Sequence, residues 1–367
     1  MSLDFTHVTL GQRVLFGAGK AAEHVAAEVA RLGTKKVMVI ADERELELAH
    51  EVANLIDVAT WHTEVVMHVP IEVAQRARRV ASDNAIDLMV SVGGGSTTGL
   101  AKAIALTSGI PIIAVPTTYA GSEATNVWGL TENERKTTGT DDKVLPLTVI
   151  YDSELTLSLP VAMSVASGLN GLAHCVDSLW GPKADPINAA LAAEGIHALN
   201  QGLPMIVEDP SSIEGRDLAL YGAYLSAVSF SSAGSGIHHK LCHILGGTFN
   251  LPHAQTHAAV LPYVLAFNAP HAPEAETRMA AAFGADTALA GLQRLRTLLD
   301  APRALADYGF TAEGIPTVVE QALAIIPDNN PCEVTADNLT ELLTAALNGE
   351  DPASIGQHIP AATAAHV

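Results

Sequence analysis

Residues 88–108 read LMVSVGGGSTTGLAKAIALTS. Five apolar or small residues come first, then three glycines, then a stretch with helical spacing. A short, continuously apolar run suits a strand buried on both faces, as in a parallel sheet. A glycine turn that leads such a strand into a helix makes one βα unit, and the chain repeats the unit on both sides. Runs at 36–41 (KVMVIA), 64–69 (EVVMHV), 110–116 (IPIIAVP) and 147–152 (LTVIYD) predict further strands. Stretches at 21–32, 46–56, 72–83 and 98–108 predict the helices between them. This alternation predicts a Rossmann-like, doubly wound α/β domain with a parallel sheet. After residues 159–160 the character changes. Segments 164–179, 188–199, 216–231 and 285–299 are rich in Ala, Leu and Ser, and convincing strands disappear. The expectation is an α/β domain over 1–157 and an all-α domain over 158–367. The Pro/Ala-rich tail from Gly349 is expected to be partly loose.

The chain has 367 residues, 48% of them hydrophobic and 16% charged. That supports large cores and excludes disorder as a description of the whole. Lysine and arginine number 20 against 40 aspartates and glutamates, a formal net charge of −20. So acidic a surface excludes nucleic acid and anionic membrane as partners, because both want basic patches. A small anionic substrate stays open, since one pocket can be locally positive. The three cysteines, Cys175, Cys242 and Cys332, form no CxxC pair and suit a reducing compartment. The N-terminus has no signal-peptide pattern, and no apolar run reaches the roughly 18 residues of a spanning helix. A cytoplasmic protein is the expectation.

Two glycine signals compete for a nucleotide. Gly17 and Gly19 fit GxGxxA before a helix, and Asp42 follows about 20 residues on, where a ribose-binding acid would sit. Any tight turn into a helix could also place those glycines. Gly93, Gly94, Gly95 and Ser96 make the stronger case. Three glycines let backbone N–H groups approach an anion, and the helix start adds unpaired donors and a positive dipole end. This loop is read as the diphosphate cradle. Thr117, Thr118 and Tyr119 follow the next strand, where a nucleotide is met at the carboxyl edge of a parallel sheet.

Histidine is concentrated. A 20-residue window would hold about one on average, yet 238–257 holds five: His238, His239, His243, His253 and His257. His239 and His243 share a helix face at i, i+4, as do Asn170 and His174. His174, His239 and His253 with one oxygen ligand would make a divalent-metal site. The oxygen residue is Asn170, whose neutral amide leaves an ion's charge uncompensated. Lys240 makes 238–243 a local cationic patch.

The order GGGS–PTT–GxNxxxH–HHKxxH–PH resembles the iron-containing alcohol dehydrogenase superfamily, to about residue 268. Three departures resemble its maleylacetate reductase branch: Gly99 in place of the acid of GGGSxxD, PTTYAGSE in place of PTTAGTGSE, and Asn170 in place of a metal-ligating aspartate. The resemblance implies a dinucleotide-binding domain at 1–157, a catalytic helical domain at 158–367, and a homodimer. It implies NADH- or NADPH-dependent reduction of the carbon–carbon double bond of maleylacetate to 3-oxoadipate, in aromatic-compound degradation. The implied cofactor residues are Asp42, Gly93, Gly94, Gly95, Ser96, Thr117 and Thr118. The superfamily's metal histidines fall on His174, His239 and His253, and a further active-site histidine on His243. The expected catalytic set is His243, His253, His239, Lys240 and His174. His238, Asn170 and Tyr119 are expected to bind the substrate, a small dicarboxylate enone. Asn170, His174, His239 and His253 are read as vestigial metal positions, with no metal required. The alternatives are a metal-dependent alcohol or aldehyde dehydrogenase, a sugar-phosphate cyclase relative, and a nucleotide sensor without turnover.

Overall fold

A computed structural model describes residues 4–132 and 135–355. The chain forms two compact units. One comprises residues 9–160 and 209–220. The other comprises the described residues of 1–8, 161–208 and 221–367. A single division at 157/158 is therefore revised. The N-terminal segment groups with the helical unit, and an excursion at 209–220 groups with the sheet.

The sheet unit runs β1 (Arg13–Phe16), α1 (Ala21–Leu32), β2 (Val37–Ile40), α2 (Leu46–Val52), β3 (Val58–His62), α3 (Ile71–Asp83), β4 (Leu88–Gly93), α4 (Gly95–Ser108), β5 (Ile112–Pro116), β6 (Val127–Glu132), β7 (Arg135–Thr140) and β8 (Thr148–Tyr151). Six strands form a sheet in the order β1-β8-β5-β4-β2-β3, every pairing parallel. Alternation along each strand feeds two cores. Met38, Ile40, Met89, Ile112 and Ala114 pack with α3 and α4 on one face. Val37, Val39, Leu88, Val90, Val92, Ile113 and Val115 pack with α1 and α2 on the other. Burial on both faces explains why these strands read as unbroken apolar runs.

Two local expectations fail. The run at 64–69 is not a strand; β3 lies earlier, at Val58–His62. Val66 and Met67 are exposed, and His68 and Val69 take positive φ before Pro70. The sequence reading also missed the antiparallel β6–β7 hairpin.

From β2 the chain steps outward to β3, then returns to β4 on the other side of β2. The strand order reverses between β2 and β4, and open α/β sheets take ligands at the carboxyl ends of such strands.

The helical unit holds α5 (Val161–Ser178), α6 (Pro186–Glu208), most of α7 (Ile213–Ala233), α8 (Ile237–Phe249), α9 (His253–Asn268), α10 (Pro273–Phe283), α11 (Ala288–Leu298), α12 (Ile315–Leu323) and α13 (Ala336–Asn348). Its described residues contain no strand, as expected. Asn250 ends α8 in the left-handed conformation and Pro252 caps α9, so the chain folds back between the two helices. Gly349 closes α13, and a 3-10 turn follows at Pro352–Ser354. The rest of the tail expected to be loose lies outside the described residues. Among the described residues no helix is long and apolar enough to cross a membrane.

Candidate active site

In the sheet unit, Asp42 follows β2, Gly93 to Ser96 follow β4, and Thr117 and Thr118 follow β5. They thus flank the point where strand order reverses. Helix α4 starts at Gly95 with no side-chain cap and no acidic residue in its first turn. Its first N–H groups and dipole end suit an anion. Gly93 is buried with φ +147, and a Cβ there would lie 2.5 Å from Thr97 Oγ1 and 2.6 Å from Glu45 Oε2. At Gly95 a Cβ would meet nothing closer than Ala120 at 3.7 Å, so that position is open. The cradle fits a dinucleotide diphosphate.

The rival glycine loop is already satisfied. Asp152, after β8, accepts from the backbone N–H of Gly19 at 2.8 Å and of Ala21 at 2.9 Å. Helix α1 therefore has its own carboxylate where a phosphate would have to bind. Asp42 accepts from the Arg44 backbone N–H at 3.0 Å and from Arg44 Nε at 2.9 Å. The Arg44 guanidinium holds the Asp42 carboxyl below its usual range.

Two buried cations support the loop after β5, and the sequence reading had given neither a role. Burial pushes Lys102 down to about 7. Its Nζ donates to the carbonyls of Ser122 (2.6 Å), Thr125 (2.8 Å) and Val127 (2.8 Å). Arg216 is fully buried and donates to Tyr119 Oη at 3.2 Å and to the carbonyls of Thr156 and Pro210. Tyr119 is itself fully buried, and its hydroxyl donates to Thr156 Oγ1 at 3.3 Å. Its hydroxyl is thus hydrogen-bonded inside the sheet unit.

In the helical unit the α8–α9 fold-back gathers the histidines. The rings of His174 and His239 lie 4.8 Å apart and nearly parallel, and Phe230 packs 4.2 Å from His239. His253 and His257 are 4.4 Å apart, and His243 lies 6.1 Å from His239 and 6.4 Å from His253. His243, His253 and Lys240 are part-buried; His174, His238, His239 and His257 are buried. His238 Nε2 shares a 3.0 Å hydrogen bond with His257 Nδ1. It is a buried partner of His257.

The sequence reading also missed Asp177, on α5. Its carboxylate, fully buried, accepts from Gly236 N–H at 2.8 Å, His239 N–H at 3.3 Å and Trp180 Nε1 at 3.3 Å. It also pairs with His239 Nδ1 at 2.8 Å. The signal was available in its position, one helical turn after His174, but nothing in the spacing named its partner. With Nδ1 donating to the carboxylate, His239 turns its Nε2 lone pair away from Asp177. That atom, Asn170 Oδ1 and His174 Nδ1 are buried with no hydrogen-bond partner among the described residues. Burial pushes Asp177 up to about 6. Burial and neighbouring imidazoles push His238 down to about 3, and His239 and His257 well below their ordinary range. Burial alone takes His174 to about 4. The expected cationic patch is thus corrected. These four imidazoles are neutral near pH 7.

The superfamily's metal positions fall on Asn170, His174, His239 and His253. They offer three imidazoles and an amide, with no carboxylate to offset the charge. Among the described residues, the His, Cys and carboxylate group whose donors come within 4.8 Å of one another is His238, Cys242 and His257, a different set.

Residues 11–153 match the family described as iron-containing alcohol dehydrogenase. Residues 164–347 match the C-terminal Fe-containing alcohol dehydrogenase family. Maleylacetate reductase 2 of Cupriavidus pinatubonensis is 46% identical over 346 residues, 93% of this chain and 96% of that protein. An iron-containing alcohol dehydrogenase from Corynebacterium glutamicum, solved as a crystal structure, is 72% identical with a TM-score of 0.96, covering 97% of this chain and 100% of that one. The maleylacetate reductase structure from Agrobacterium tumefaciens is 40% identical with a TM-score of 0.89, over 95% of this chain and 99% of its own. With relatives this similar along nearly its whole length, the chain belongs to the iron-containing alcohol dehydrogenase family.

Proposed function

We propose that this protein is an NAD(P)H-dependent oxidoreductase that reduces the carbon–carbon double bond of maleylacetate to give 3-oxoadipate. The observation that carries the reading is Asn170 in the superfamily's metal-carboxylate position, within a buried cluster whose neutral imidazoles include an Asp177-anchored His239. An alcohol dehydrogenase needs its metal to polarise a lone carbonyl. An enone accepts hydride at the carbon β to its ketone, and the electron pair moves to the ketone oxygen as an enolate.

The diphosphate of NADH or NADPH would lie on Gly93, Gly94, Gly95 and Ser96, its adenosine ribose at Asp42, and Thr117 and Thr118 would line its path. When bound, the cofactor supplies the hydride. Lys240 and the histidine cluster hold the substrate carboxylates and stabilise the enolate oxygen; each well-placed donor is worth about 3 kcal/mol. Asn170 can hydrogen-bond the substrate without supplying charge. His243, with His253 beside it, delivers a proton to the α carbon. Asp177 holds His239 in one tautomer throughout.

Purified protein should oxidise NADH when given maleylacetate, with no added metal and with chelator present. Silence under those conditions, with activity restored by Fe²⁺ or Zn²⁺ and an alcohol or aldehyde substrate, would favour the metal-dependent alternative. His243→Ala should lower kcat by about 10²–10⁴-fold while NADH binding, read by fluorescence titration, changes little. Equal loss of cofactor binding would remove His243 from the proton-transfer role.

A further inference from the structure

The cofactor cradle already has an anion beside it. Glu45 ends the 3-10 turn Glu43–Glu45 that Asp42 caps, directly after β2. Its Oε1 accepts from Thr117 Oγ1 at 2.6 Å. Its Oε2 lies 2.6 Å from where a Cβ on Gly93 would be. The carboxylate thus spans from the end of β5 to the glycine turn of β4, at the mouth of an uncapped helix start.

We propose that Glu45 is a resident plug of the diphosphate cradle, whose negative charge the cofactor must displace or neutralise on entry. The inference rests on the cofactor reading above. In a cradle with no lysine, two phosphate charges and an ionised carboxylate this close would repel one another. The charged groups acting on Glu45 are Asp42 and Arg44, from its own turn, and Arg44 is paired with Asp42. The flanking α4 start and β5 end bring only Thr97 and Thr117. Burial raises the Glu45 carboxyl above its ordinary range; Asp42 adds to this, and Thr117 and Arg44 oppose it. A bound diphosphate would raise it further. Binding should therefore take up a proton, and affinity should fall as pH rises through and above the Glu45 pKa. The limit is about tenfold per pH unit.

The test is calorimetric titration with ADP-ribose, which carries the diphosphate and is stable to mild acid, at pH 6 and pH 8. Glu45→Gln keeps the shape and should bind about tenfold more tightly than wild type at pH 8, with a smaller gain at pH 6. Proton uptake, read in buffers of different ionisation enthalpy, should disappear in this variant. Glu43→Gln, on the same turn but exposed, should behave as wild type. Glu45→Ala repeats the test if the glutamine variant folds poorly. Unchanged or weaker binding by both Glu45 variants at pH 8 overturns the plug and leaves the cofactor site standing. Absence of ADP-ribose binding to every form, at either pH, overturns the cofactor reading and the plug with it.

Discussion

Asp177→Asn is expected to leave a folded protein that has lost most of its turnover, with kcat lower by about 10²-fold or more. The carboxylate is fully buried and serves four donors, one of them His239 Nδ1. An amide keeps the volume and one acceptor oxygen. Three of the four donors, His239 Nδ1 among them, meet Oδ2, so the amide oxygen takes that place and the NH₂ faces Trp180 Nε1. His239 keeps an acceptor for Nδ1–H but loses the carboxylate charge that makes its Nε2 more basic. Asp177→Ala should do something different. It strands the backbone N–H groups of Gly236 and His239 at the start of α8 and the indole N–H of Trp180 after α5, each costing about 1–3 kcal/mol. A total loss of about 3–5 kcal/mol is expected. Thermal melting separates the two cases: a small shift for asparagine, a drop of roughly 10 °C or more for alanine. An asparagine variant with wild-type kcat would confine Asp177 to a structural role.

Why Asp177 was invisible in the sequence is a question of which contacts are local. The pairs Asn170/His174 and His239/His243 are helical neighbours, so spacing alone finds them. The Asp177–His239 bond joins residues 62 apart, and only the packing of α5 against the start of α8 creates it. Glu45 and Asp152 were missed for the same reason. Each is an ordinary acid in the sequence until the strand order sets it against a glycine turn from elsewhere in the chain. Asp152 in particular distinguishes the two glycine loops, because it caps one helix start while the other has no side-chain cap.

The central strands were legible because burial on both faces leaves only apolar residues possible, as in Val37–Ile40 and Ile112–Pro116. Edge and hairpin strands lack that constraint. β3 pairs with β2 alone, and its VATWH carries a weaker signal than the β-branched run at 64–69 that was mistaken for it. There the chain must turn through positive φ into Pro70, and that geometry overrides strand propensity. Composition likewise located too few of the cations. An acidic chain was expected to keep its useful positive charge at 238–243. Lys102 and Arg216, each bonded to backbone carbonyls in the sheet unit, are two more basic side chains in its interior.

Gly93→Ala and Gly95→Ala should both weaken cofactor binding, for different reasons, and the contrast tests whether the loop is a phosphate cradle. At Gly93 the backbone sits at φ +147, where an L side chain is strained by about 1–3 kcal/mol. The new methyl would also run into Thr97 Oγ1 at 2.5 Å and Glu45 Oε2 at 2.6 Å. The turn between β4 and α4 must then shift, so melting temperature and NADH affinity should fall together, affinity by about 100-fold or more. At Gly95 a methyl meets no protein atom closer than 3.7 Å. Alanine is also the better helix former, so stability should hold or rise slightly. If a diphosphate rests directly on this helix start, the methyl intrudes on the ligand, and affinity should fall at least about tenfold without any loss of melting temperature. A Gly95→Ala protein that binds NADH as wild type does would move the diphosphate off the GGGS loop. The triple glycine would then be a tight turn and nothing more.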